Sequence, residues 1–490
     1  MSNNYKQPSL LDALSPVIFL ILLLGGAVFY FGDSSSSGAN QIALLLAAGL
    51  AAIIGVKNGF KWDDIEAGII KGISLSMTAI LILLAVGSLI GTWLLSGTVP
   101  TMIYFGLQIL SPSFFYAASC IICAIVAISI GSSWTVAATI GVALMGVATG
   151  LGVSLPITAG AIISGAYFGD KMSPLSDTTN LAPAVAGTDL FTHIRHMAWT
   201  SFPSFLFALV VFVILGLSEN TTVEALRIQQ LSDGLTNKFT IAWYLIIPLL
   251  VTLTLALKKV PAFPAVFIGA LVGAVWAVLF QQELIVSLAG EGVDQFGANV
   301  TVIWTALFDG VTIDAGDADL NDLLSGGGMS SMLTTIWLII TAMVFGAVME
   351  KVGLLKHVVD IIAGFARSAS SLIITTIVTA FGSNLLTADQ YISIVMPGRM
   401  FKDEYERRGL APENLSRALE DGGTVTSALI PWNTCGAYMQ SVLLVSPLEY
   451  AIFCVFNWAS PIFGVIFALL GFKVKKLVTK ETQEVAQEVK

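Results

Sequence analysis

The sequence predicts an all-α polytopic membrane protein built from two inverted repeats, each with a re-entrant helical hairpin and a broken transmembrane helix. Three observations carry this. The 490 residues are 56% hydrophobic and 11% charged, with a mean hydropathy of +0.86, a composition that belongs to the membrane class. Residues 72–169 run for 98 positions without an Asp, Glu, Lys or Arg. That run then meets Gly165-Ala-Tyr-Phe-Gly-Asp-Lys-Met-Ser-Pro-Leu-Ser-Asp-Thr-Thr-Asn180, where charge, proline and hydroxyls arrive together. Ionisable side chains are costly inside a bilayer and tend to mark binding sites. Unwound backbone at that depth is tolerated where it lines a cavity. An ordinary interhelical loop would suit these residues, but not the nearly uncharged sequence that continues on both sides.

Taken in order, the apolar segments 14–32, 41–57, 73–96, 155–190 (broken), 200–217, 240–257, 261–280, 332–350, 418–445 (broken) and 447–472 give ten crossings. Each uninterrupted one approaches the roughly 20 residues that span a bilayer. Runs 114–150 and 370–398 are apolar but interrupted midway, and suit hairpins that enter and leave on one side. The first apolar run lacks a basic flank and a cleavage site, so it reads as a helix and not a signal peptide. Lys57, Lys61, Lys71, Arg195, Lys258, Lys259, Lys351 and Lys356 fall on one side. Arg399, Lys402, Arg407, Arg408, Arg417 and the tail join them, while 281–331 carries no Lys or Arg. The positive-inside rule then places both termini in the cytoplasm and 281–331 outside, with Arg227 and Lys238 a mild exception. The expected location is the cell inner membrane.

The organisation divides into N-terminal helices (1–72), a first transport repeat (73–217), linking helices with an extracellular segment (218–331), a second, inverted repeat (332–472) and a cytoplasmic tail (473–490). The repeat shows in four ordered features. Ser76-Met77-Thr78 and Ser331-Met332-Leu333 open apolar helices, and a short amphipathic piece follows each. An apolar run is then broken by Gly131-Ser-Ser-Trp-Thr135 or by Gly382-Ser-Asn-Leu-Leu-Thr387. A broken helix follows, at Ser173–Asn180 in one half and from Glu420 to Ser427, then Pro431-Trp-Asn-Thr434, in the other. Charge bias starts the units on opposite sides, so the two hairpins should enter from opposite faces with tips approaching near mid-membrane.

Several function classes lose support. Cys120, Cys123, Cys435 and Cys454 lie in apolar runs, and Cys120-x-x-Cys123 has no nearby His or second pair, so packing is the better reading. His193, His196 and His357 sit at scattered loop positions without metal-ligand spacing. No nucleophile elbow or phosphate-binding glycine loop is present, so no enzyme is predicted, and a net charge of −9 spread over loops gives nucleic acid no footing. No cofactor is expected.

Sodium, a hard cation, prefers oxygen ligands. One repeat offers Ser132, Ser133, Thr135, Ser176, Asp177, Thr178, Thr179 and Asn180; the other offers Ser383, Asn384, Thr387, Asp389, Thr424, Thr426, Ser427, Asn433 and Thr434. Hydroxyls also bond backbone carbonyls inside membrane helices, so each has a structural alternative. The carboxylates Asp170, Asp177, Asp389, Glu420 and Asp421 lie in or beside the breaks. A buried carboxylate able to hold either a proton or Na⁺ would exchange one for the other. Asp177, three residues after Pro174, is the leading coupling residue and is expected to sit desolvated, with Asp170, Asp421 and Asp389 behind it. Asp170 could instead pair with Lys171, and Glu420-Asp421 could cap a helix. Lys171, the lone basic residue between Lys71 and Arg195, could neutralise Asp170 or Asp177, attract an anion, or snorkel.

The run Gly165–Asn180, its continuation to Leu181-Ala-Pro-Ala-Val-Ala-Gly-Thr-Asp189, and Gly131-Ser-Ser-Trp-Thr135 resemble the NhaC-type sodium/proton antiporter family, within the ion-transporter superfamily of inverted-repeat, hairpin-containing carriers. The resemblance covers about residues 70 to 470. It implies Na⁺/H⁺ exchange, with malate/lactate antiporters among the relatives. It places sodium ligands at Ser132, Ser133, Asp177, Thr178, Thr179, Asn180, Ser383, Asn384, Asn433 and Thr434, and a possible anion contact at Lys171. Pro431-Trp-Asn-Thr434 has no aspartate matching Asp177, a departure from symmetry. The expected partners are the lipid bilayer, Na⁺ and H⁺, with small carboxylates for the alternative exchanger, and a homodimer is an open expectation.

Overall fold

In the computed structural model, residues 6–219, 225–290, 292–314, 321, 324–364 and 367–477 are described. Most of the tail 473–490 lies outside them. Among the described residues, nine helices are long and apolar enough to cross a membrane, or up to eleven with two bent pairs counted. The only bridges of β type there are isolated ones, Val311 with Gly326 and Leu410 with Lys476.

The chain opens with α1 (Leu10–Phe31), α2 (Ala39–Lys57) and α3 (Trp62–Leu75). The first repeat runs through α4 (Met77–Leu95), α5 (Thr98–Ile109), α6 (Pro112–Ile130), α7 (Ser133–Gly150), α8 (Leu155–Met172), α9 (Asp177–Ala186) and α10 (Leu190–Ser218). Linking helices α11 (Ala225–Lys238), α12 (Ile247–Leu257), α13 (Ala262–Phe280), α14 (Gln282–Ala289) and α15 (Gln295–Phe308) follow. The second repeat comprises α16 (Leu333–Lys351), α17 (Leu354–Ala363), α18 (Ala369–Thr387), α19 (Gln390–Arg407), α20 (Pro412–Leu419), α21 (Thr434–Leu443), α22 (Pro447–Phe453) and α23 (Val455–Leu470). A π-helical turn, Glu420–Thr424, extends α20 towards its break.

The repeats keep one register: landmarks recur 257 residues on. Gly131 and Ala388 are both left-handed, at φ +75° and +56°, and Gly187 and Leu444 repeat this at +87° and +57°. Ser132 and Asp389 each cap the helix after the turn, accepting from Thr135 N–H and Ile392 N–H. Ser176 and Asn433 cap the helices after the breaks, and Asp189 and Ser446 cap the helices that follow those. A side-chain acceptor at each position meets orphan amides that a membrane interior cannot hydrate.

The units are inverted. Gly72 abuts Ala347 and Gly87 abuts Met332, so rising numbers in α3 and α4 meet falling numbers along α16 and its N-cap. The runs α6–α7 and α18–α19 are hairpins. Ser154 N–H donates to Tyr116 Oη at 2.8 Å, so the first returns to the level at which it entered. Thr376 and Tyr405 hydroxyls meet at 3.1 Å across the second.

One tip departs from expectation. The turn of the second hairpin is Ala388-Asp389, whereas Gly382-Ser-Asn-Leu-Leu-Thr387 is continuous helix. Ser383 Oγ and Thr387 Oγ1 donate to the carbonyls of Thr379 and Ser383, at 2.8 and 2.9 Å. Hydroxyls bonded one turn back do not unwind a helix. The arms reach Arg407, beyond the anticipated 398, and the broken span begins at Pro412 and not 418. His193 and His196 are buried in α10, not in a loop.

Candidate functional site

Each hairpin tip abuts the break of its own repeat. Gly131 lies against the backbone of Leu175 and Ser176, and Thr434 N–H donates to Ala388 O at 2.9 Å. α9 and α21 are ten residues each, about 15 Å of helix. That is half the ~30 Å hydrocarbon core, so both breaks fall near mid-depth.

At the first tip, α7 begins against α8. Ser133 N–H and Ser133 Oγ both donate to Asp170 Oδ2, at 3.0 and 2.7 Å. A helix N-terminus thus faces the carboxylate, an arrangement that favours negative charge. Asp170 Oδ1 has no hydrogen-bond partner although the residue is buried. The break folds back: Thr179 Oγ1 donates to the carbonyls of Lys171 and Asp170 at 3.1 and 3.3 Å, and Asn180 Nδ2 to Pro174 O at 3.0 Å. Ser132 Oγ accepts from Thr135 Oγ1 at 3.0 Å, and Thr178 N–H donates to Asp177 Oδ1 at 2.9 Å.

Lys171 turns to the other repeat. Its ammonium donates to Asp421 Oδ1 and, at 2.8 Å, to Ser460 Oγ. Ser460 Oγ and Thr200 Oγ1 also donate to Asp421 Oδ1, at 2.8 and 3.2 Å. Both ion-pair side chains are fully buried. Asp170 does not pair with Lys171, because α8 presents successive residues on different faces, and Asp177, on α9, meets Tyr391 instead. Snorkelling is excluded by the same burial.

The second tip and break form an amide cluster. Asn384 donates to Gly423 O and, at 3.1 Å, to Thr426 Oγ1. Asn433 Nδ2 donates to Asn384 Oδ1 at 3.1 Å, and Thr434 Oγ1 to Asn433 Oδ1 at 3.5 Å. Asp389 is buried as the cap of α19. Thus Asn384 and Ser383 reach this site from a helix wall, and Asp389 holds the tip position given to Gly382.

Aromatic side chains then cross between repeats. Trp134 stacks on Tyr438 with centroids 4.0 Å apart, and Tyr438 Oη donates to Trp134 O at 2.9 Å. Tyr391, the register counterpart of Trp134, donates its hydroxyl to Asp177. Asp177 is exposed, as are Asn180, Ala184 and Gly187 on the same face of α9 and its cap. A carboxylate and an amide cannot face lipid at this depth, so that face borders water, on the end where Lys402 neighbours Gly187. The expectation of a desolvated Asp177 is therefore corrected; the buried carboxylates are Asp170, Asp389, Glu420 and Asp421. On the opposite end a cavity of about 650 Å³ opens between α5, α7, α16 and α21, lined by apolar side chains and by hydroxyls and an amide such as Thr149, Thr335, Gln440 and Ser441, without one charge.

Sequence reasoning missed Thr200, Ser460 and Tyr391, and left Arg417 in a loop although it is 1% exposed in α20. The fixed repeat register would have paired Ser132 with Asp389 and Trp134 with Tyr391. Thr200 and Ser460 carried no signal among many membrane hydroxyls. No group of three His, Cys, Asp or Glu among the described residues is placed to hold a metal, and the four cysteines are free and buried.

Two inverted units whose re-entrant tips meet broken helices around buried polar groups define a secondary active transporter. The sequence comparisons make the class specific. A model of the Na⁺/H⁺ antiporter family matches residues 165–472, and the chain belongs to that family. It is 37% identical over 436 residues to the Na(+)/H(+) antiporter NhaC of Alkalihalophilus pseudofirmus, covering 89% of this chain and 91% of the relative. It is 36% identical over 432 residues to the Malate-2H(+)/Na(+)-lactate antiporter of Bacillus subtilis, covering 88% and 89%. The Arginine/ornithine antiporter ArcD of Halobacterium salinarum is 35% identical over 432 residues, covering 87% and 85%. The resemblance seen at Gly165–Asp189 therefore holds across most of the chain.

Proposed function

We propose that the protein exchanges Na⁺ for H⁺ across the cell inner membrane by alternating access, with both termini in the cytoplasm. The observation that carries this is Asp170, a buried carboxylate with one oxygen held by the α7 N-terminus and the other without a completed hydrogen bond, the Ser176 hydroxyl standing near the group. An uncompensated buried charge is untenable, so this group calls for a proton or a cation. Oxygen ligands of the kind Na⁺ prefers stand beside it in Ser133 and the break. The amide cluster of Asn384, Asn433 and Thr434 is the symmetry-related candidate. Asp177 at the watered face supplies the first carboxylate that an entering cation meets, with Thr178, Thr179 and Asn180 behind it.

Carboxylate exchange through Lys171 has weaker footing, because that ammonium is committed to Asp421 and Ser460. The test is a Na⁺ step imposed on proteoliposomes carrying a pH dye. Exchange predicts a change in internal pH that is absent from protein-free vesicles. No pH change in vesicles with correctly folded protein would reject it.

A further inference from the structure

We propose that Glu420 is the site that carries the exchanged proton, separate from the Na⁺ ligands at the tips and breaks. This rests on the Na⁺/H⁺ reading. Glu420 opens the π-helical turn Glu420–Thr424, is 0% exposed, and neither carboxylate oxygen has a hydrogen-bond partner. Every other buried Asp or Glu among the described residues has at least one well-formed hydrogen bond from a donor. Asp421 has Lys171, Ser460 and Thr200; Asp170 has Ser133; Asp389 has the Ile392 amide; Glu413 has Lys475. A carboxylate with no ion pair and no completed hydrogen bond in a water-free interior must be neutralised, and a proton is the smallest group that does so.

The surroundings reinforce this. Asp170 and Lys171 on α8 and Asp421 on its own turn interact electrostatically with Glu420. The ion pair of Lys171 is made with Asp421, so Glu420 shares the field of that ammonium with Asp170 and Asp421 but has no ion pair of its own. α18 and α23, packed on the same turn, contain no ionisable residue. α19, capped by Asp389, and α9 also pack on this turn and carry Tyr391, Arg399, Tyr405 and Asp177 among their ionisable residues, and α20 itself carries Glu413 and Arg417. The buried Thr424 hydroxyl, one turn on, stands beside the Glu420 carboxyl without completing a hydrogen bond to it. π turns occur often at functional sites, where they re-aim a side chain at the cost of regular bonding. Gly422 and Gly423 allow this turn to approach α18 and α19: a Cβ at 422 would meet the backbone of Ile377.

Occupancy of Asp170 by Na⁺ and of Glu420 by H⁺ then compete through charge. A cation at Asp170 leaves room for the proton to depart from Glu420, and its departure favours the proton's return. The coupling requires no direct contact between the two ions.

The test uses reconstituted full-length protein and two readouts. Glu420→Gln mimics the neutral acid. It should lose Na⁺-driven proton movement while radiolabelled Na⁺/Na⁺ counterflow persists. Retained proton movement overturns the assignment; so does loss of counterflow in a variant that elutes as wild type, since Glu420 would then serve the Na⁺ site. A wild-type protein that moves neither ion instead refutes the functional reading itself. The second readout needs no mutant. Dicyclohexylcarbodiimide takes the proton of a neutral carboxyl onto nitrogen, the carboxylate oxygen adds to its central carbon, and acyl migration leaves a stable N-acylurea. Peptide mass mapping should find that adduct on Glu420, with yield falling as pH rises. Adducts on Asp170 or Asp389 without one on Glu420 would contradict the proposal.

Discussion

Lys171 and Asp421 lie 250 residues apart, on opposite repeats, and form an ion pair with neither side chain exposed. Removing one member strands a buried charge, which costs about 3–5 kcal/mol, whereas replacing both members can be nearly neutral. Lys171→Met is therefore expected to lower the unfolding temperature sharply. Lys171→Met with Asp421→Asn should recover most of the loss. Thermal unfolding in detergent reads both, and equal destabilisation by single and double variants would show that the pair does not act as a unit.

Asp170→Asn should abolish Na⁺-dependent exchange. Ser133 N–H and Oγ–H converge on one oxygen, and an amide removes the negative charge those two donors attend. Ser133→Ala keeps the backbone donor and should weaken Na⁺ affinity with less loss of maximal rate. Measured rates in the reverse order would place the cation elsewhere.

Asp177 and Tyr391 should act together. Tyr391 donates to Asp177 across the repeats, at an exposed position. Asp177→Asn and Tyr391→Phe are each expected to raise the Na⁺ concentration needed for half-maximal exchange. The double variant should be no worse than the worse single, a coupling of about 0.5–3 kcal/mol. Strict additivity would mean the contact has no functional role.

The two hairpin turns are not equivalent. Gly131 has φ +75° and packs on the backbone of the first break, so Gly131→Ala adds left-handed strain of about 1–2 kcal/mol and a collision with Leu175 and Ser176. Ala388 already bears a side chain at φ +56°. Ala388→Gly should leave stability within about 1 kcal/mol of wild type, because relieved strain offsets added unfolded-state entropy. Similar destabilisation by both substitutions would mean that turn conformation is not what distinguishes them.

Much of this architecture is legible in the sequence because membrane burial writes itself in composition. The 98 uncharged residues before Asp170, the interruptions at Gly131 and Pro174, and the Lys/Arg bias suffice to propose two inverted units. Local chemistry is less legible. Gly382-Ser-Asn looked like a turn, yet in a bilayer a hydroxyl satisfies itself on its own helix, and the real turn uses alanine in a left-handed conformation. Which carboxylate Lys171 meets depends on the helix face of α8 and on a helix 250 residues away. No local spacing encodes that. The exposure of Asp177 likewise depends on which end of the cleft stands open.

Na⁺ and H⁺ alone should be exchanged at the junction of the two repeats. The most direct measurement is uptake of radiolabelled Na⁺ into proteoliposomes that are acidic inside, in buffers free of carboxylates and amino acids. Transport driven by the pH gradient, abolished by collapsing that gradient and by Asp170→Asn, is the predicted result. Uptake that begins only when malate, lactate or an amino acid is added would contradict the account.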